Sequence, residues 1–273
     1  MSGWNRGVFV SFLRRFLPSL SVACISVAGS FGWAKAHDPD ALWRIVHERC
    51  VMTQEKTGHA SPCEEVHTGE GYAVLKSIEG RAQYLLIPTA RVPGMESPVL
   101  LDPAAPDYFS DAWKQAWRVG KGWGVRLPRE DVALTINSQD GRSQNQLHIH
   151  VSCLKPEVKV ALWFARNEVS SDWRPLPVSL AGHSWRAMRV DGAELEGVKP
   201  FLRLSASLKA PEQEMAHHTL AVVPEIFDGG KAGFILLDDT ADPSHGDHGS
   251  AEDLQDHTCA LVALDPAVVR LTP

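Results

Sequence analysis

The sequence predicts an α+β fold, an antiparallel sheet with packed helices in one compact domain. Three observations predict it. Apolar residues alternate with polar ones in short runs, most clearly at Leu147, Ile149 and Val151, the period of a half-buried strand. Segments with helical spacing lie between these runs, the order expected of mixed α+β architecture. No low-complexity linker divides the halves of the 273-residue chain.

The elements follow in order. Residues 39–48 read as a short helix with Leu42, Ile45 and Val46 on one side. Residues 71–76 and 83–89 read as two strands joined by a turn at Glu79-Gly80. Residues 102–120 contain a helix in which Phe109, Trp113 and Trp117 recur every four positions, an aromatic face suited first to core packing and second to lipid contact. Residues 131–138 form the next strand, followed by a turn at Asp140-Gly141 and then the strand of residues 146–153. The second half echoes this order loosely, as an internal duplication into two halves would. It offers a helix at 158–167, a strand at 184–190 and a helical stretch at 201–215 interrupted at Pro211. A strand pair at 218–223 and 233–237 follows, then a closing helix at 251–261 with Ser250 as N-cap.

The formal net charge of -6 argues against a general nucleic-acid binder, which carries a basic patch. The first 36 residues differ from the rest: Arg6, Arg14 and Arg15 are basic, and no acidic residue precedes Asp38. An uncharged run spans residues 16–34 and ends in Ala34-Lys35-Ala36, an A-x-A cleavage pattern. This is the layout of a signal peptide, or of an N-terminal membrane anchor if it is not cleaved. Either way the main domain is expected outside the cytoplasm. Cysteine usage agrees: beyond Cys24 there are four, Cys50, Cys63, Cys153 and Cys259, an even number that suggests two disulfides. Cys50–Cys63 would close a short loop, and Cys153 on the apolar side of its strand would meet Cys259 on a packed helix.

The face opposite Leu147, Ile149 and Val151 carries Gln146, His148, His150 and Ser152. An H-x-H pair on a strand has three readings: metal ligation, covalent phosphoryl or nucleotidyl transfer, or structural packing. A metal would need a third ligand, which His183, His217, His257 or an acidic residue could supply. His183, Arg186, Arg189 and Lys76 are weaker candidates for phosphate contact. His245, Asp247 and His248 form a polar loop that could take up a metal adventitiously.

The Asn137 strand, the Asp140-Gly141 turn and Gln146-Leu147-His148-Ile149-His150 together resemble the histidine-triad (HIT) superfamily of nucleotide hydrolases and transferases. Residues 71–76, 83–89, 96–98 and Gln255-Asp256-His257 with Cys259 are similar to its bacterial CDP-diacylglycerol pyrophosphatases, over roughly residues 39–261. The resemblance implies a HIT-like antiparallel sheet and a HIT-like catalytic domain over residues 37–265, with 266–273 as a C-terminal tail. It implies His148 as nucleophile and His150 as the last triad position, with Gln146 standing where the first histidine would be. Gln146, Gln144, Asn137 and Ser152 are then the candidate substrate-binding donors. The implied substrate is CDP-diacylglycerol in the membrane, cleaved to CMP and phosphatidate without a metal or other cofactor. The implied location is the periplasmic side of the bacterial inner membrane, or the periplasm if the leader is cleaved.

Overall fold

The computed structural model describes residues 38–271; the leader and Cys24 lie outside the described residues. The chain enters through one continuous helix made of α1 (Ala41–Arg44), a π-helical stretch (Ile45–Val51) and α2 (Met52–Thr57). This is longer than the 39–48 helix expected. It stops where Gly58 takes a left-handed conformation, φ 74°, that a side chain resists. Leu42, Val46 and Cys50 point at the sheet and pack on Ala73, Leu85 and Ile87.

Among the described residues ten strands form one mixed-length antiparallel sheet. They are β1 (Glu65–His67), β2 (Tyr72–Lys76), β3 (Tyr84–Pro88), β5 (Val132–Ile136), β6 (Ile149–Leu154), β7 (Arg174–Pro175), β8 (Arg186–Asp191), β9 (His218–Phe227), β10 (Lys231–Thr240) and β11 (Gln255–Asp256). Along the sheet the order is β1-β2-β3-β6-β5-β9-β10-β8-β7. The histidine strand β6 is central: β5 pairs one edge, while β3 covers residues 149–151 and β11 covers 153–154 on the other. A separate ribbon pairs β4 (Val125–Arg126) with β12 (Val269–Arg270), so part of the predicted tail is tied back to the body.

The alternation expected of half-buried strands sorts side chains to two faces. One face holds Val74, Leu86, Leu134, Ile136, Ile149, Val151, Val222 and Leu236, covered by α3 (Tyr108–Lys114) and α5 (Pro200–Ser205) through Phe109, Phe201 and Leu204. On the other face α4 (Pro156–Ala165) covers Ala133, Ala221, Ile235 and Leu237 through Val158, Leu162 and Ala165. His150 and Ser152 lie on this second face, opposite Ile149 and Val151, where β6 passes between the α4 cluster and the N-terminal helix cluster. Each fully buried aliphatic side chain contributes roughly 1.5–3 kcal/mol relative to exposure.

Two expectations are corrected. Phe109 is buried and Trp113 packs edge-on against Phe234, but Trp117 is 60% exposed. The α-helix ends at Lys114 and tightens into a 3-10 segment, Ala116–Trp123, whose three-residue turn breaks the four-residue stripe. The closing helix at 251–261 is instead a 3-10 turn (Ala251–Leu254), β11, a turn and the short α7 (Leu261–Leu264). Gln255 and Asp256 find the edge of β6 that β3 leaves unpaired, and this pairing wins over helix formation. The expected interruption at Pro211 is present, where the short α6 (Pro211–Glu214) begins. Both expected disulfides form, Cys50–Cys63 and Cys153–Cys259, although Cys259 lies in a turn rather than on a helix.

Candidate active site

His148 precedes β6 by one residue and is buried. Its Nδ1 donates to the carbonyl oxygen of Gln146 at 2.7 Å. A carbonyl can only accept, so this contact places the proton on Nδ1 and leaves the lone pair on Nε2. Burial, and next the neighbouring His150 ring, push the His148 pKa down to about 4. The imidazole is therefore neutral at ordinary pH. The two rings lie side by side, with centroids 4.8 Å apart.

Glu252 organises the other side of His150. Its Oε1 lies 3.1 Å from His150 Nδ1, 2.9 Å from His257 Nε2 and accepts from Gln83 Nε2 at 2.6 Å. Burial favours the neutral acid, but the hydrogen bonds from His150, His257 and Gln83 outweigh it and hold the carboxyl well below the usual carboxylate range. His257 Nδ1 in turn meets Ser152 Oγ at 3.2 Å. His150 Nε2 is buried without a hydrogen-bond partner among the described residues.

Backbone contacts set this arrangement. Asn137 Oδ1 accepts from the Glu252 amide at 3.1 Å, and Asn137 Nδ2 donates to Glu252 Oε2 at 3.3 Å. Ser138 Oγ donates to the His248 carbonyl at 2.7 Å, binding the hairpin to residues 248–252. Gly141 is required at the close approach: a Cβ there would stand 2.7 Å from the His248 carbonyl oxygen. Gly80 makes a similar approach to His257, whose carbonyl accepts from Arg81 and Ala82.

The structure brings His148, His150, Asn137 and Ser152 together. It gives Gln146 and Gln144 other tasks. Gln146 Nε2 donates to the carbonyls of Pro88 and Ala90 at 2.9 and 2.8 Å, and its Oε1 accepts from Val92 at 3.3 Å. Both amide protons are engaged in holding the segment after β3, so none remains for a ligand. Gln144 likewise bonds the Leu42 amide and the Asp38 carbonyl, anchoring the start of the N-terminal helix. Of the weaker phosphate candidates, Arg186 pairs with Asp238 and Arg189 with Asp191. Lys76 donates to the carbonyls of Ser77 and Gly80.

The sequence holds no sign that Gln83 or Glu252 belongs to the site, and it offers His257 only as a third metal ligand or as part of the matched Gln255-Asp256-His257 segment. Gln83 and His257 lie in the two segments that resemble the pyrophosphatases. Glu252 carries no comparable signal, because local spacing places it in a closing helix.

A family model described as CDP-diacylglycerol pyrophosphatase matches residues 37–263. The chain is 39% identical over 249 residues to the CDP-diacylglycerol pyrophosphatase of Yersinia pestis, covering 91% of this chain and 95% of that protein. Among solved structures, a DUF4931 family protein from Bacillus cereus aligns with a TM-score of 0.38 and 8% identity, over 65% of this chain and 84% of that one.

Proposed function

The chain belongs to the CDP-diacylglycerol pyrophosphatase family, and from that premise we propose that it hydrolyses CDP-diacylglycerol to CMP and phosphatidate through a nucleotidyl-histidine intermediate on His148. The observation that carries the covalent step is the Nδ1 hydrogen bond of His148 to the Gln146 carbonyl, which directs a neutral Nε2 lone pair away from the strand backbone. Nε2 attacks the phosphorus that bears cytidine. An N–P bond forms, the anhydride P–O bond breaks, and its electrons leave on phosphatidate. Water then attacks the same phosphorus, releasing CMP and one proton and restoring the imidazole.

Phosphatidate is a phosphomonoester, with a second pKa near ~6 by analogy with phosphorylated side chains. It departs without a strong acid, which is compatible with glutamine at position 146. The charge on the equatorial oxygens needs donors instead. His150, whose Nδ1 lies 2.7 Å from the Gln83 amide nitrogen, would donate from its unpartnered Nε2 to a phosphoryl oxygen.

A HIT-like origin with two related halves is part of this reading. Strands β2-β3-β6-β5 and β7-β8-β10-β9 repeat one spatial order, first-second-fourth-third, and meet through β5 and β9. The reading also places the domain at the periplasmic face of the membrane. No described helix is long and apolar enough to cross a bilayer. Trp163 and Phe164 on α4 are 50% and 72% exposed, and aromatic side chains suit the interfacial region.

The test is incubation with CDP-diacylglycerol labelled at the cytidine-bearing phosphorus. Release of labelled CMP, and acid-labile label trapped on His148 after rapid quenching, are expected. A His148→Ala protein that releases CMP at a near-normal rate would refute the covalent step.

A further inference from the structure

We propose that His183, Asp239 and Asp247 form a binding site for one divalent transition-metal ion, separate from His148, that staples the segment carrying Glu252 to the sheet. Three different parts of the chain supply the ligands. His183 sits in the turn before β8, held by paired backbone hydrogen bonds with Leu180. Asp239 lies near the end of β10, and Asp247 in the loop that follows. One donor atom from each lies within 4.8 Å of the others.

The orientation of the two carboxylates points to a ligand. Asp239 Oδ1 accepts from the Thr240 amide and Asp247 Oδ1 accepts from the Gly249 amide, each at 2.8 Å. Their Oδ2 atoms are left to face His183 Nδ1, at 3.4 and 2.9 Å. Nδ1 carries at most one proton, and its hydrogen bond is with Asp247. Among the described residues Asp239 Oδ2 is therefore buried with no hydrogen-bond partner, on a side chain only 8% exposed. An unpaired buried carboxylate oxygen is costly unless something positive meets it.

A divalent ion resolves the conflict. It would take the Nδ1 lone pair and both Oδ2 atoms, leaving Nε2 to carry the proton. Asp253 Oδ2 lies 3.6 Å from that Nε2, in place to orient the ring as the carboxylate partner of a metal-bound histidine. One imidazole and two carboxylates suit zinc or manganese. The consequence is positional: Asp247 and Asp253 bracket residues 248–252, whose far side holds His150 through Glu252.

The experiment is calorimetric titration of the metal-stripped full chain in detergent with ZnCl2, alongside thermal melts. One equivalent per chain is expected, with a melting temperature that rises with zinc concentration. His183→Gln and Asp247→Asn should each weaken binding at least 100-fold and abolish the melting shift. A variant with both His245→Ala and His248→Ala should bind as wild type. Absence of binding, binding that survives His183→Gln and Asp247→Asn in folded protein, or binding lost with the His245 and His248 pair would each overturn the proposal.

Discussion

His148 Nδ1 lies 2.7 Å from the carbonyl oxygen of Gln146, two residues earlier in the segment that leads into β6. The backbone just before β6 thus fixes the tautomer of the candidate nucleophile. With the pKa held near 4 by burial and by His150, the attacking form persists far below the ordinary histidine value of about 6.5.

The acid limb of kcat/KM caused by His148 should therefore fall near pH 4, since that profile reports the free enzyme. A limb near pH 6.5 would contradict the assignment. The same shift has a stability cost with a defined sign. Between about pH 6.5 and pH 4 the unfolded chain binds the proton and the folded one does not, so stability falls as pH falls through that window. Denaturant titrations of wild type and His148→Gln should show the wild type losing more over it.

Glu252→Gln replaces a four-way acceptor with a side chain that has one acceptor oxygen and its own donors. His150 and His257 then lose their anionic partner. A drop in kcat of about 100-fold is expected, within the range of general acid–base contributions, while KM changes little. Steady-state kinetics on folded variant check this.

Gln146→His should not improve the enzyme. The glutamine satisfies two carbonyls, Pro88 and Ala90, with one amide. A neutral imidazole has one N–H and can serve only one of them, and a buried acceptor left unpaired costs about 1–3 kcal/mol. Lower thermal stability without a gain in CMP release is expected. A faster variant would show that position 146 serves the reaction directly.

The two disulfides should contribute unequally. Cys153–Cys259 spans 106 residues of sequence and Cys50–Cys63 spans 13. On loop-closure entropy these correspond to about 4.7 and about 3 kcal/mol. The Cys153→Ser, Cys259→Ser double variant should therefore lose more stability in urea titration than its Cys50, Cys63 counterpart. It should also lose activity, because Cys259 lies two residues from His257.

Trp163→Ser with Phe164→Ser removes apolar area from an exposed face of α4 without touching the core. Sedimentation with anionic vesicles should fall by about tenfold or more, on the order expected for two interfacial aromatics. Turnover of a water-soluble short-chain substrate should stay unchanged. Equal vesicle binding by both proteins would remove α4 as a membrane contact.

Much of this protein is determined by its sequence alone. The period of two at Leu147, Ile149 and Val151 places His148, His150 and Ser152 on the opposite side of one strand, because alternation is a local property of extended backbone. The strand pair at β9 and β10 and the break at Pro211 are local in the same sense. The partners of those side chains are not local. Gln83, Asn137, Glu252 and His257 reach the histidine face from positions up to 174 residues apart, and only the packing of three loops decides that they meet. Tertiary structure also overrode local preference at Gln255 and Asp256, where an unpaired strand edge outcompeted a helix. It assigned Gln146 to backbone carbonyls, a task invisible in a motif. Side-chain direction follows from the chain itself, whereas hydrogen-bond partners are chosen by whatever the fold brings within reach.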